Sequence, residues 1–121
     1  MLYESEKRIM TALWKAGSLK ASELAKLMNE ETGWNRNTTY TVIRKCIEKK
    51  LVKRTDPGYI CSPLISRKQI QMQDTEEFLE RAFDGNILKM FSVLSGIKPL
   101  SRFEIKEIKR LLKDTQNKAS T

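Results

Sequence analysis

Within the stretch WNRNTTYTVIRKCIEKKL, residues 34–51, an amide, two hydroxyls and an ammonium stand at Asn37, Thr38, Thr41 and Lys45. Amides and hydroxyls hydrogen-bond base edges and cations hold phosphates, so this set suits a nucleic-acid duplex. The apolar residues of the same stretch, Val42, Ile43, Cys46, Ile47 and Leu51, recur at helical spacing and call for one buried face. Wound at about 100° per residue with Ile43 inward, the helix turns the four polar residues outward. Arg36 joins them from its place at the helix start. For an isolated helix, a merely solvated amphipathic face explains the same pattern, so the neighbouring segments must decide.

Enzymatic chemistry finds little to work with. The chain has no histidine, which removes the commonest general base and the commonest metal ligand together. No phosphate-cradling glycine loop and no serine or cysteine nucleophile with a base is present. The two cysteines, Cys46 and Cys61, form no zinc or disulfide spacing, and Cys46 falls on the apolar face of the helix, where a buried thiol is expected. No cofactor or metal is expected.

At 121 residues with 40% hydrophobic content, the chain is one domain, or a small domain with an appendage, and buries a real core. Its apolar runs are too short to cross a bilayer and no signal-peptide pattern opens it, so a cytoplasmic protein is expected. The net charge of +8 is unevenly placed. Residues 1–33 carry five basic and five acidic groups, residues 34–65 seven and two, and residues 66–121 eleven and eight. Cations thus gather around the polar helix, as a polyanion-binding surface requires.

The elements needed to position that helix are legible on both sides. A first helix is predicted from an N-cap at Ser5 to about Lys15, with Ile9, Ala12, Leu13 and Ala16 inward and Trp14 on a flank. Ser18-Leu19-Lys20 reads as a short extended link, and Ser22 as the cap of a second helix ending at Gly33. With the third, these make a helix-turn-helix unit. After Leu51 the period changes. Residues 51–55 and 59–62 read as strands around Asp56-Pro57-Gly58, a hairpin in the position of a wing, closed by Pro63. Lys53 and Arg54 on that hairpin are candidates for phosphate contact, or else ordinary solvated edge-strand charges.

From Ser66 the chain is expected to be helical: one helix broken by Asp84-Gly85, a second from about Ile87 to Leu94, interruption at Gly96 and Pro99, and a last helix opened by a Ser101/Glu104 capping box. The tail from Gln116 is expected to fray. Phe78, Phe83, Ile87, Met90 and Phe91, together with Leu94, Phe103, Ile108 and Leu112, are too many apolar residues for these helices to bury on one another. Such a patch marks either an interface or a face folded back on the N-terminal domain. A homodimer is preferred, because two-fold symmetry places two such helices one DNA turn or a multiple apart.

Five short patterns stand out along the chain: Glu6-x-x-Ile9-Met10-x-x-Leu13-Trp14, Trp34-x-x-x-Thr38-x-x-Thr41, Ile43-x-x-x-Ile47-x-Lys49-Lys50, the wing's exit at Ser62-Pro63, and Phe83-Asp84-Gly85 in the helical tail. Over nearly its whole length the chain resembles the penicillinase-repressor family of bacterial regulators, the BlaI, MecI and CopY group. The resemblance implies a winged helix that binds a palindromic operator as a dimer and represses transcription, with Asn37, Thr38 and Thr41 as candidates for contact in the major groove. It also implies, for beta-lactam-responsive members, a sensor-protease that inactivates the repressor by cleavage at an Asn-Phe bond. This chain has no Asn-Phe pair, and its tail lacks the Cys-x-Cys pairs of copper-responsive members.

The expectation is therefore a mainly α protein with a small β-wing: a winged helix-turn-helix domain over residues 1–65 and a helical dimerisation region over 66–121. Its expected partners are an operator duplex and a second copy of itself. The rival reading is a winged-helix protein-interaction module that never touches DNA.

Overall fold

A computed structural model describes residues 2–119. The elements are α1 Glu4–Ala16, β1 Leu19–Lys20, α2 Ala21–Thr32, α3 Arg36–Glu48, β2 Val52–Thr55, β3 Ile60–Pro63, α4 Arg67–Phe83, α5 Ile87–Ile97 and α6 Arg102–Ala119. They group into two compact units, residues 1–75 and 76–121, so the division falls inside α4.

In the first unit, Ile9, Met10 and Leu13 of α1 meet Leu24 and Met28 of α2 and Val42, Ile43 and Cys46 of α3. Val52 and Cys61 from the sheet and Ile70 from α4 close this core. The strand order is β1-β3-β2, all antiparallel, with Leu19 opposite Cys61 and Arg54 also opposite Cys61 on the other side. Three helices, a small edge strand and a two-stranded hairpin in this order make the winged helix-turn-helix arrangement. Gly58 turns the hairpin at a φ of 102°, which L side chains rarely adopt. Trp14 packs at the flank of α1, its indole N–H donating to the Ile65 carbonyl at 2.8 Å.

Two helix starts differ from expectation. α1 begins at Glu4 rather than after Ser5, and α2 at Ala21 rather than after Ser22. In each, a glutamate three residues into the motif reaches back to the first free amide: Glu6 accepts from Tyr3 N–H and Glu23 from Lys20 N–H, both at 2.9 Å. Satisfying that orphan donor moves the boundary earlier than a serine cap would.

In the second unit, α4 ends where Asp84 and Gly85 both take positive φ. Asn86 caps α5, its side chain accepting from Lys89 N–H at 3.0 Å. Gly96 does not interrupt α5, which continues to Ile97, so the break falls at Lys98 and Pro99. The Ser101/Glu104 capping box forms reciprocally, with Ser101 N–H donating to Glu104 at 3.0 Å and Glu104 N–H to Ser101 at 3.1 Å. Residues 116–119, expected to fray, continue α6; Ser120 and Thr121 lie outside the described residues. No described side chain of this unit is buried. Phe78 and Phe83 make an edge-to-face pair at 5.9 Å, while Leu88 and Ile97 stand 83% and 75% exposed.

Candidate nucleic-acid interface

The orientation of α3 is fixed at both ends. At its start the Asn35 side chain accepts from Thr38 N–H at 2.8 Å, satisfying one of the amides a helix leaves open. The Asn29 amide on α2 donates to the Trp34 carbonyl at 3.0 Å, tying the turn between the two helices. Past its last turn, Lys49 donates to the buried Glu6 carboxylate of α1 at 2.8 Å. Burial works to raise the Glu6 pKa, but the Lys49 and Tyr3 hydrogen bonds outweigh it and hold the carboxyl below its ordinary 4.5.

With Val42, Ile43, Cys46 and Thr39 inward, Arg36, Asn37, Thr38, Thr41 and Lys45 are all exposed on α3. Thr39 is the inward residue that hydrophobic periodicity passes over. The Thr41 hydroxyl donates to the Asn37 carbonyl at 2.9 Å, so what it offers outward is its lone pairs and its methyl. Lys53 and Arg54 are exposed on β2, and successive strand residues face opposite ways. Only Arg54 turns to the groove between α3 and the hairpin.

That groove, about 390 Å³, is lined by Arg36, Asn37, Tyr40 and Arg44 from α3 and by Arg54 and Tyr59 from the hairpin. The Tyr40 and Tyr59 rings meet edge-to-face at 5.6 Å and 85°. Arg36 donates to the Tyr40 hydroxyl at 3.0 Å and lies 5.1 Å from its ring. Arg54 stacks 3.6 Å from the Tyr59 centroid while its Nε donates to Asp56 at 3.0 Å. Burial raises the Tyr59 phenol, with Arg54 and Arg44 opposing. Of the predicted residues, the groove gathers Arg36, Asn37 and Arg54; Thr38, Thr41, Lys45 and Lys53 lie outside its lining.

Arg44, Tyr40 and Tyr59 are not among the residues expected from the sequence. Arg44 is within reach of the same reasoning, since seven residues on from Asn37 a helix returns to within about 20° of the same direction. The two tyrosines carry no periodic signal; only the fold of the hairpin against α3 brings them together. Both thiols are buried, and burial pushes Cys46 up to about 12 and Cys61 to about 11, so neither is a nucleophile here. Among the described residues no cluster of acidic or cysteine side chains forms a metal site.

A sequence profile described as penicillinase repressor matches residues 2–114. The chain belongs to the penicillinase repressor family. A penicillinase repressor of Bacillus licheniformis is 23% identical over 117 residues, covering 95% of this chain and 91% of that one. Another, from Staphylococcus aureus, is 23% identical over 112 residues, covering 91% and 89%. The solution structure of the DNA-binding domain of the repressor BlaI superposes with a TM-score of 0.53 at 21% identity, over 57% of this chain and 87% of that one. That likeness shows the winged-helix fold of the first unit. Members of the family regulate transcription and are not enzymes. No helix among the described residues is long and apolar enough to cross a membrane.

Proposed function

We propose that this chain is a sequence-specific DNA-binding repressor that acts as a homodimer, occupying a palindromic operator and so blocking transcription. The observation that carries the reading is the outward face of α3. Asn37, Thr38 and Thr41 are exposed on one face of it, and Lys45 is exposed a turn further on. Membership of a repressor family and the likeness to a DNA-binding domain support it.

In this reading α3 enters the major groove. Asn37 pairs with the N7 acceptor and N6 donor of an adenine edge. Thr41, whose proton is held by the Asn37 carbonyl, accepts from an exocyclic amino group or packs its methyl on a thymine methyl. Arg36, Lys45 and Lys53 supply charge for phosphates, which sets register without reading sequence.

The second copy is supported by the second unit, whose Phe78, Ile87, Phe91, Leu94, Phe103 and Leu112 are exposed and whose Phe83, Met90 and Ile108 are only half-buried. A unit this apolar in which no described side chain is buried matches half of an obligate interface. A gel-shift titration against the chain's own upstream region, over a salt series and beside a random duplex, tests the proposal. Preference for the upstream region is expected; equal binding to both would remove the operator claim.

A further inference from the structure

We propose that the groove between α3 and the hairpin is a preformed seat for one sugar-phosphate strand of the duplex, with Arg44 and Arg36 as its phosphate ligands and Arg54 as part of its wall. This rests on the DNA-binding reading above and assigns roles within it that the sequence does not.

Three guanidiniums face one groove whose lining contains no carboxylate. They are not equivalent. Arg54 is matched by Asp56 at 3.0 Å and sits over the Tyr59 ring at 3.6 Å, so its charge is countered and its position is held from two sides. Arg36 and Arg44 make no ion pair among the described residues. Arg36 is steered by the Tyr40 hydroxyl, and Arg44 has only a 3.5 Å approach to Thr41. A guanidinium with open donors in a fixed fork is the group that grips phosphate, and each unmatched cation in the groove lowers the cost of bringing one there.

The aromatic pair explains why the seat is already open. Tyr40 from α3 and Tyr59 from the hairpin meet edge-on and hold helix and hairpin at a set separation, with Arg36 5.1 Å from the centre of the Tyr40 ring and Arg54 3.6 Å from that of Tyr59. Arg44 shares the outward direction of Asn37, so a strand in the groove runs directly beside the bases α3 would meet. Arg54 therefore acts as a positioning residue for Tyr59, and Arg44 takes the phosphate contact for which the sequence offers Arg54 as a candidate.

The full chain is titrated by fluorescence anisotropy against a random duplex and an upstream-region duplex across a salt series, with thermal melts for each variant. Arg44→Gln is expected to lower the slope of log affinity against log salt by about 0.9 for each phosphate no longer neutralised, on both duplexes. Arg44→Lys, which keeps the charge, should restore the slope. Arg54→Gln should leave the slope unchanged. An unchanged slope in Arg44→Gln, or an equal fall in Arg54→Gln, overturns the seat while leaving DNA binding standing. Wild-type protein that binds neither duplex at low salt overturns the DNA reading itself, and the seat falls with it.

Discussion

Lys49, the residue capping α3, places its ammonium 2.8 Å from the carboxylate of Glu6, a side chain 1% exposed near the start of α1. The same ammonium lies 4.4 Å from the centre of the Tyr3 ring. The end of the helix proposed to read DNA is thereby pinned to the first turn of the chain. Glu6 has its pKa lowered from 4.5 and Lys49 has its pKa raised from 10.5 by the hydrogen bond between them.

The sign of each shift fixes where the pair helps. Glu6 contributes stability in full above pH 4.5 and loses it as pH falls through its lowered folded value. Lys49 contributes below pH 10.5 and loses it as pH rises through its raised one. Glu6→Gln should melt lower than wild type near neutrality and converge with it in acid. Melting curves run from about pH 7 to about pH 3 check this; two parallel curves would show the pair to be idle.

Sequence discrimination and general affinity should separate by residue. Thr41→Ala is expected to narrow the gap between upstream and random duplex by about 1–3 kcal/mol. Lys53→Ala should weaken both duplexes alike and reduce the salt slope by about one. Competition titrations read both quantities, and a uniform weakening in Thr41→Ala would mean that α3 does not read bases through that face.

The apolar second unit makes a prediction about mass. Phe91→Asp or Leu94→Asp puts a charge into the face proposed to pair two copies, where an unpaired buried charge is strongly destabilising. Sedimentation should then find half the wild-type mass, with operator binding weakened far more than the helical signal. Wild-type protein already at monomer mass would contradict the pairing.

The thiols should be inert. With Cys46 at about 12 and Cys61 at about 11, almost no thiolate exists near pH 8, and both sulfurs are shielded. A colorimetric thiol reagent is expected to react slowly with folded protein and at once in denaturant. Rapid reaction of two equivalents in the native state would show that the core opens there.

The parts legible in the sequence are those written in local periods. The α3 stripe Val42, Ile43, Cys46 turns inward as spaced, the hairpin forms around Pro57 and Gly58, and Ser101 with Glu104 opens α6. Helix starts are harder to place, because a serine is a conspicuous cap whereas Glu6 and Glu23 satisfy the first amides from inside the helix. Gly96 suggests a break, although an exposed helix tolerates glycine at a cost of about 1 kcal/mol. The Arg54–Asp56 pair and the Tyr40–Tyr59 contact join residues whose relation exists only after folding, so no spacing announces them.

β3 is bonded along both sides, to β2 and to β1, and Ala21 N–H at the head of α2 donates to the Tyr59 carbonyl at 2.9 Å. The hairpin is therefore no loose flap but a continuation of the helix-turn-helix scaffold. An encounter with a duplex would need no hairpin ordering first, so little conformational freedom is surrendered at that surface. Among variants that keep the surface charge, tightness of grip should then vary mainly through how long complexes last, while variants that remove a cation should also arrive more slowly.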